Sequence, residues 1–387
     1  MSRIAMFGGT FNPPHSGHVA AACACVSQLR LDKLLLVPTA VPPHKQLPAL
    51  TATAAQRLEM AALAATLIPN AEASDIELAR GGASYTCLTL DALRERYPHD
   101  ELWLIMGTDM LESFHNWREP ERICSLVRLA VCARDEGDRQ RIEQAALRLS
   151  NEFGARVDII DNVPLPMSST QAREGSARKL PDCISEYIRE HCLYMDMDAL
   201  RERVRGVLGE RRFAHTLGCE KLAALLAQKY GADERVVRAS ALLHDITKEL
   251  SLAQQLRLCE KWSIIHDYDG DNLEAVIHAD TGAAAAAFEY GMGSTVCSAI
   301  RKHTVGDESM SLTDRIIYIA DACEETRRYP GAREMRELAL RDLNAAVISN
   351  MEQTIKRLEN LGKKPYYKTE RALAALIKEK EGKKINE

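Results

Sequence analysis

The chain has 387 residues, 46% of them hydrophobic and 27% charged, with 50 basic against 55 acidic side chains and a formal net charge of −5. At roughly 150 residues per domain this is a globular protein of two or three domains, and its acidic sum excludes a general nucleic-acid coat. No apolar run approaches the ~20 residues that cross a bilayer, and the opening MSRIAMFGGTF has no cleavable leader pattern.

Eleven scattered cysteines without a C-x-x-C pair read as free thiols of a reducing cytoplasm rather than a disulfide framework. Up to about residue 195, apolar runs at 3–7, 33–37, 74–78, 101–106, 128–133 and 156–160 have the length and composition of strands. Helical spacing falls near 18–30, 54–66, 85–97, 108–114, 138–150 and 181–191. Strands alternating with helices predict a doubly wound α/β domain with a mostly parallel sheet over residues 1–195. Its functional loops then lie at the carboxyl ends of the strands. From 196 to 387 the strands stop. Segments 198–209, 214–230, 234–245, 252–261, 280–290, 294–303, 312–323 and 343–361 read as helices, predicting an all-α domain with a lysine-rich, solvated tail.

The first run is followed by Gly8-Gly9-Thr10-Phe11-Asn12-Pro13-Pro14-His15-Ser16-Gly17-His18. Glycines at the end of a buried strand let an anion approach the backbone, and the next helix begins with free N–H groups. His15 and His18, three apart, add donors that strengthen as charge builds on a transferring phosphoryl group. At the far end of the same domain, Met167-Ser168-Ser169-Thr170-Gln171-Ala172-Arg173 sets a hydroxyl cluster at a helix start and an arginine one turn on.

These two strings resemble the signature of the cytidylyltransferase-like nucleotidyltransferases, nearest to the bacterial nicotinate-mononucleotide adenylyltransferases, although Met167 and Ala172 stand where isoleucine is usual. The resemblance implies a Rossmann-like nucleotidyltransferase domain. Gly8, Gly9, Thr10, Phe11, His18, Ser168, Ser169, Thr170 and Arg173 would hold ATP, with Mg²⁺ arriving on its phosphates, and Lys45 in Val41-Pro42-Pro43-His44-Lys45 would meet the triphosphate. Tyr85, Thr86, Gly107, Asp109 and Trp117 would hold nicotinate mononucleotide, the indole stacking on the pyridine ring. His15, His18, Lys45 and Arg173 are the expected catalytic set. Two other acceptors stay open: the amide mononucleotide and pantetheine phosphate.

In the second half, His215, His244-Asp245, His278, His303 and Asp321 each sit on or beside a largely apolar helix. Burying so many polar groups is costly unless they share a partner, so the set predicts ligands converging on metal. The order resembles the HD-domain phosphohydrolases. The strings His-Thr-x-Gly at 215, His-Ala-x-x-Gly-Ala at 278 and Ile-Arg-x-His-Thr at 300 resemble the YqeK-like family, whose members split diadenosine tetraphosphate into two ADP. Ala-Asp-x-x-Glu at 320 belongs to the same pattern. Glu324, Arg327 and Pro330-Gly331 also match, while Glu325 and Thr326 depart.

The resemblance implies one metal on His215, His244, Asp245 and Asp321, with Asp245 bridging to a second on His278 and His303. Iron, or manganese, would be the resident ion, and water between two cations would ionise near pH ~7. Asp245 and Lys248 join the expected catalytic set, and Lys248, Arg301 and Arg327 would neutralise polyphosphate. A metal-stabilised nucleotide sensor, or hydrolysis of another nucleotide, remains the alternative for this half. The expected partners are small nucleotides, namely ATP, nicotinate mononucleotide and diadenosine tetraphosphate. Neither nucleic acid nor membrane is among them, and self-association stays open.

Overall fold

Six short strands with near-continuous apolar runs pair side by side in the computed structural model, which describes residues 1–42, 47–48, 50–165, 167–173, 180–266 and 273–385. The chain divides into two units, Met1–Tyr187 and Ile188–Glu387.

The first unit runs β1 (Arg3–Gly9), α1 (Ser16–Leu29), β2 (Lys33–Pro38), α2 (Ala54–Ala65), β3 (Ala71–Ala73), α3 (Ile76–Arg80), α4 (Thr86–Arg96), β4 (Glu101–Gly107) and α5 (Thr108–Glu112). After a 3-10 turn at Phe114–Asn116 come α6 (Pro120–Leu126), β5 (Arg128–Cys132), α7 (Asp138–Phe153), β6 (Val157–Ile160), α8 (Ser169–Arg173) and α9 (Asp182–Glu190), whose residues from Ile188 on belong to the second unit. The sheet order is β3-β2-β1-β4-β5-β6, with every pairing parallel. Residues Ile4–Phe7 of β1, Leu34–Pro38 of β2 and Leu102–Met106 of β4 are all buried, as a sheet covered on both faces requires. Strand order reverses between β1 and β4, so their carboxyl ends open the crevice where such sheets take ligands.

Three expectations change. The run at 74–78 is not a strand. Pairing of β3 with β2 ends at Ala73 opposite Leu36, and α3 then begins, burying Glu77 against Thr89 Oγ1, which donates at 2.8 Å. Helix α6 was not expected. The unit ends at Tyr187 rather than 195, because Cys192 is buried with Leu200, Val204 and Leu242 of the helical unit.

The second unit has no strand among the described residues. It runs α10 (Met197–Arg205), α11 (Glu210–Tyr230), α12 (Glu234–Leu243), α13 (Leu252–Trp262), α14 (Leu273–Tyr290), α15 (Ser294–Lys302), α16 (Leu312–Cys323), α17 (Ala332–Arg341), α18 (Leu343–Asn360) and α19 (Tyr367–Ile385). Capping fixes several starts: Asp196, Asp233, Ser251 and Ser311 accept from free backbone N–H groups of α10, α12, α13 and α16. One apolar cluster joins α11, α16 and α18 through Leu222, Ile316, Ile319 and Val347. Another joins α10, α12, α14 and α15 through Val204, Leu242, Ala286 and Ile300. Helix α17 was not expected, and α14 begins before residue 280, which places His278 and Asp280 inside it.

Candidate active sites

In the first unit a cleft of ≈ 480 Å³ lies at the ends of β1 and β4. Gly8, Gly9, Thr10, Phe11, His15, His18, Thr86, Gly107, Asp109, Trp117, Ser168, Ser169, Thr170 and Arg173 all line it. Two strings 150 positions apart in the sequence are tied directly together there. Arg173 Nη1 donates to the Asn12 carbonyl at 2.7 Å, its Nη2 to Thr170 Oγ1 at 3.0 Å, and Ser169 Oγ donates to the Pro13 carbonyl at 3.0 Å.

The histidines act as a pair. Their ring centroids are 3.7 Å apart, and the backbone N–H of His15, which precedes α1, donates to His18 Nδ1 at 3.1 Å. In the neutral His18 ring the proton is therefore on Nε2. Burial and the Arg134 guanidinium press the His15 ring down to about 4, and burial with His15 and Arg134 holds His18 well below its usual range. At neutral pH both are uncharged N–H donors rather than cations.

The Trp117 ring lies 5.2 Å from that of buried Phe114, tilted by 35°, and also lines the cleft. Tyr85 is not among the lining residues, and the guanidinium of Arg118 lies 4.6 Å from its ring centroid. Lys45 lies outside the described residues. Asp109 is ion-paired with Arg134.

Arg57 and Arg134 were missed from the sequence. Arg57 is fully buried in α2, and its Nη1 donates to the carbonyls of Thr10 at 2.9 Å and Thr39 at 2.6 Å. It clamps the glycine loop from behind. Arg134 follows β5; its backbone N–H donates at 3.0 Å to Asp138, which also accepts from Thr108 Oγ1 at 2.6 Å. A Cβ at Gly107 would stand 3.0 Å from Arg134 Cδ, so glycine there leaves room for the guanidinium stem. A charged residue just past a strand of a parallel sheet was the available signal.

In the second unit α11, α12, α14, α15 and α16 deliver six side chains to one buried spot. Asp245, 3% exposed, occupies its centre. Its Oδ2 faces His244 Nε2 at 3.3 Å and His215 Nε2 at 3.8 Å; its Oδ1 faces His278 Nε2 at 3.3 Å and His303 Nε2 at 3.7 Å. Asp321 Oδ1 lies 2.9 Å from His215 Nε2 and 3.8 Å from His244 Nε2. His244 Nδ1 and His303 Nδ1 stand 2.7 and 2.6 Å from the carbonyls of Ala241 and Ile300, which fixes those tautomers and turns each Nε2 inward.

The donors fit a cation. His244 is fully buried, and its Nε2 makes no hydrogen bond of good geometry. Ligand atoms of His215, Cys219, His244 and Asp321 lie within 4.8 Å of one another, as do those of His244, Asp245 and His303. Against the pull of burial, Asp245 and Asp321 raise the His244 ring to about 9, while burial takes His278 down to about 4. His215 Nδ1 lies 2.9 Å from the buried Glu324 Oε1, a contact that fixes the orientation of the ring. A Cβ at Gly218 would strike that carboxylate.

Cations ring the cluster. Arg327 Nη2 donates to Asp321 Oδ1 at 2.6 Å, and Arg212 Nη1 donates to Asp245 Oδ2 at 2.6 Å. Lys248 Nζ lies 3.2 Å from His278 Nδ1 and donates to the Ala275 carbonyl at 3.0 Å. Arg301 instead pairs at 3.4 Å with Asp280 and is 58% exposed, outside this inner ring. Sequence reading missed Arg212 and Cys219; each lies three or four residues from His215, the helical spacing that shares a face.

Residues 6–175 match the cytidylyltransferase-like family, and residues 212–326 match the HD domain family. A Mycoplasma pneumoniae protein named "Probable nicotinate-nucleotide adenylyltransferase/Ap4A hydrolase" is 30% identical over 83% of this chain and 88% of its own. A Synechococcus protein named "Probable nicotinate-nucleotide adenylyltransferase" is 37% identical over 50% of this chain and 95% of its own. The crystal structure of an HD superfamily hydrolase from Clostridium acetobutylicum, described as involved in NAD metabolism, covers 48% of this chain and 98% of its own at 31% identity, with a TM-score of 0.44.

Proposed function

The chain belongs to the family that joins a cytidylyltransferase-like domain to an HD domain, and from that premise we propose a bifunctional nucleotide enzyme. The first unit transfers adenylyl from ATP to nicotinate mononucleotide, giving nicotinate adenine dinucleotide and pyrophosphate. The second hydrolyses diadenosine tetraphosphate symmetrically to two ADP. Both activities stand together in the name of the Mycoplasma pneumoniae relative.

For the transferase, the meeting of the Gly8–His18 loop with Ser169 and Arg173 carries the reading. The mononucleotide phosphate attacks the α-phosphorus of ATP in line and pyrophosphate leaves; the protein positions the reactants and stabilises charge. His18 offers Nε2–H to the phosphoryl oxygens, Arg173 and the Ser168–Thr170 hydroxyls hold the ATP phosphates, and Trp117 stacks on the pyridine ring. Mg²⁺ enters with ATP.

For the hydrolase, the opposed oxygens of Asp245 carry the reading: one faces His215 and His244, the other His278 and His303. That set would hold two cations, with iron or manganese preferred by a histidine-rich, mixed donor set. Bound there, they supply a water ionisable near neutral pH and charge neutralisation for the phosphates. Arg327, Arg212 and Lys248 orient the polyphosphate chain. Eleven free thiols suit a reducing cytoplasm, and no helix among the described residues is long and apolar enough to cross a membrane.

The test gives the full-length protein ATP with nicotinate or nicotinamide mononucleotide, then a panel of dinucleoside polyphosphates with iron or manganese. Nicotinate adenine dinucleotide from the first, and ADP alone from diadenosine tetraphosphate in the second, are the expected products. Transfer only to another acceptor overturns the first assignment. ATP and AMP as products, or no turnover, overturns the second.

A further inference from the structure

Cys219 stands one helical turn after His215 on α11, so the two side chains leave the same face. Its Sγ lies 3.5 Å from His215 Nε2 and 3.8 Å from Nδ1, and it shares the 4.8 Å ligand cluster with His244 and Asp321. Bonds of about 2.0 Å to nitrogen and about 2.3 Å to sulfur let one ion join atoms up to about 4.3 Å apart, so this separation is within reach of a shared cation. The thiol is only 2% exposed, and the buried His244 Nε2 beside it makes no hydrogen bond of good geometry. The sulfur and this nitrogen thus enter one water-poor space beside Asp321, where a cation could take both.

We propose that Cys219 is a thiolate ligand of the cation held by His215, His244, Asp245 and Asp321, and that this position therefore takes a thiophilic divalent ion such as zinc, cobalt or ferrous iron in preference to magnesium. The inference rests on reading the cluster as a metal centre. It makes the two positions chemically unequal: sulfur, imidazole and carboxylate on the Asp321 side, imidazole and carboxylate alone on the His278–His303 side. Soft thiolate selects ions that hard oxygen ligands do not. On binding, the S–H bond breaks, the sulfur–metal bond forms with the sulfur's electron pair, and the proton leaves to solvent. No oxidant or reductant takes part.

The test loads the full-length protein with Co²⁺ and records its absorption spectrum. Visible bands report bound cobalt whatever its ligands; a strong near-ultraviolet charge-transfer band reports a cobalt–thiolate bond. The parent protein should show both. Cys219→Ser and Cys219→Ala should lose the ultraviolet band, keep the visible ones and bind cobalt ~10- to 100-fold more weakly, a loss of the size that follows disturbance of a metal's surroundings. Cys323→Ser, whose native thiol bonds to the Ile319 carbonyl on α16, should keep the band. The alanine variant serves if the serine variant does not fold. A parent with visible bands and no charge-transfer band overturns the thiolate while leaving the histidine–aspartate centre standing, as does an unchanged band in both Cys219 variants. No cobalt bands at all in the parent overturns both.

Discussion

Arg173 and Asn12 are 161 positions apart, yet the guanidinium of one donates to the backbone carbonyl of the other at 2.7 Å. That bond closes the transferase cleft across the sheet's switch point, because Asn12 follows β1 and Arg173 ends α8. Arg173 therefore locks the glycine loop and presents positive charge to the same space. Arg173→Ala should lower kcat/KM for adenylyl transfer by at least ~100-fold, the scale of losing one preorganised donor. Arg173→Lys should recover only part of it, since an ammonium cannot reproduce the planar fork that serves Asn12 and Thr170 together. Steady-state kinetics on ATP check this, and a fully active lysine variant contradicts it.

His18 supplies a second measurement. With Nδ1 occupied by the His15 N–H, only Nε2–H is available to a phosphoryl oxygen, so His18→Ala should also lose at least ~100-fold in transfer and leave polyphosphate hydrolysis intact. Near-parental synthesis would make the loop purely structural.

The same rings set a pH dependence. His15 titrates at about 4 in the fold against 6.5 when free, so between those values the unfolded chain binds more protons than the folded one. Stability should thus be complete above pH 6.5 and fall as pH drops towards about 4. Protonation of the His15 ring should cost transfer nothing between pH 8 and 5. Thermal melts across that range, compared with His15→Phe, test the sign; a variant equally acid-sensitive contradicts it.

Much of this was legible because strings such as His15-Ser16-Gly17-His18 and His244-Asp245 carry their chemistry in local spacing. Arg57 was not, since a lone arginine in a helix reads as a solvated charge until the fold buries it against Thr10 and Thr39. The run 74–78 misled because Ile76 and Leu78 satisfy a strand's alternation, whereas β2–β3 pairing ends at Ala73 and the short helix that follows buries Glu77 instead. Glu324 matched a pattern without revealing its role, because its partner His215 lies 109 positions away.

Gly218 gives the hydrolase site a steric test. A methyl group there would strike Glu324, which is fully buried and also accepts from the Thr326 backbone N–H at 2.6 Å, leaving the carboxylate little room to yield. Gly218→Ala should pull Glu324 from His215 Nδ1 and weaken metal binding ~10- to 100-fold, as losses of outer-shell partners do. Glu324→Gln should move affinity in the same direction with smaller strain. Chelator competition measures both; parental affinity in the two variants would make the His215–Glu324 contact incidental.

Asp245→Ala should separate the two activities completely. One side chain faces four imidazoles and accepts from Arg212, so its removal strips an anion from both proposed coordination spheres and leaves the guanidinium unpaired. Metal content and hydrolysis should collapse together, because the ligands hold the cations only while their charges are balanced. The helical unit should also melt at lower temperature, since breaking a buried ion pair by deleting one partner costs about 3–5 kcal/mol. Adenylyl transfer depends on the Gly8–His18 and Ser168–Arg173 segments of the other unit and should continue at close to its parental rate. Asp245→Asn keeps the shape while removing the charge, so a shared loss of metal in both variants assigns the effect to the carboxylate. Metal analysis and the two activity assays on the same preparation decide the matter: two retained metals with active hydrolysis contradict the bridging role, and equal loss of both activities shows that the two units fail as one.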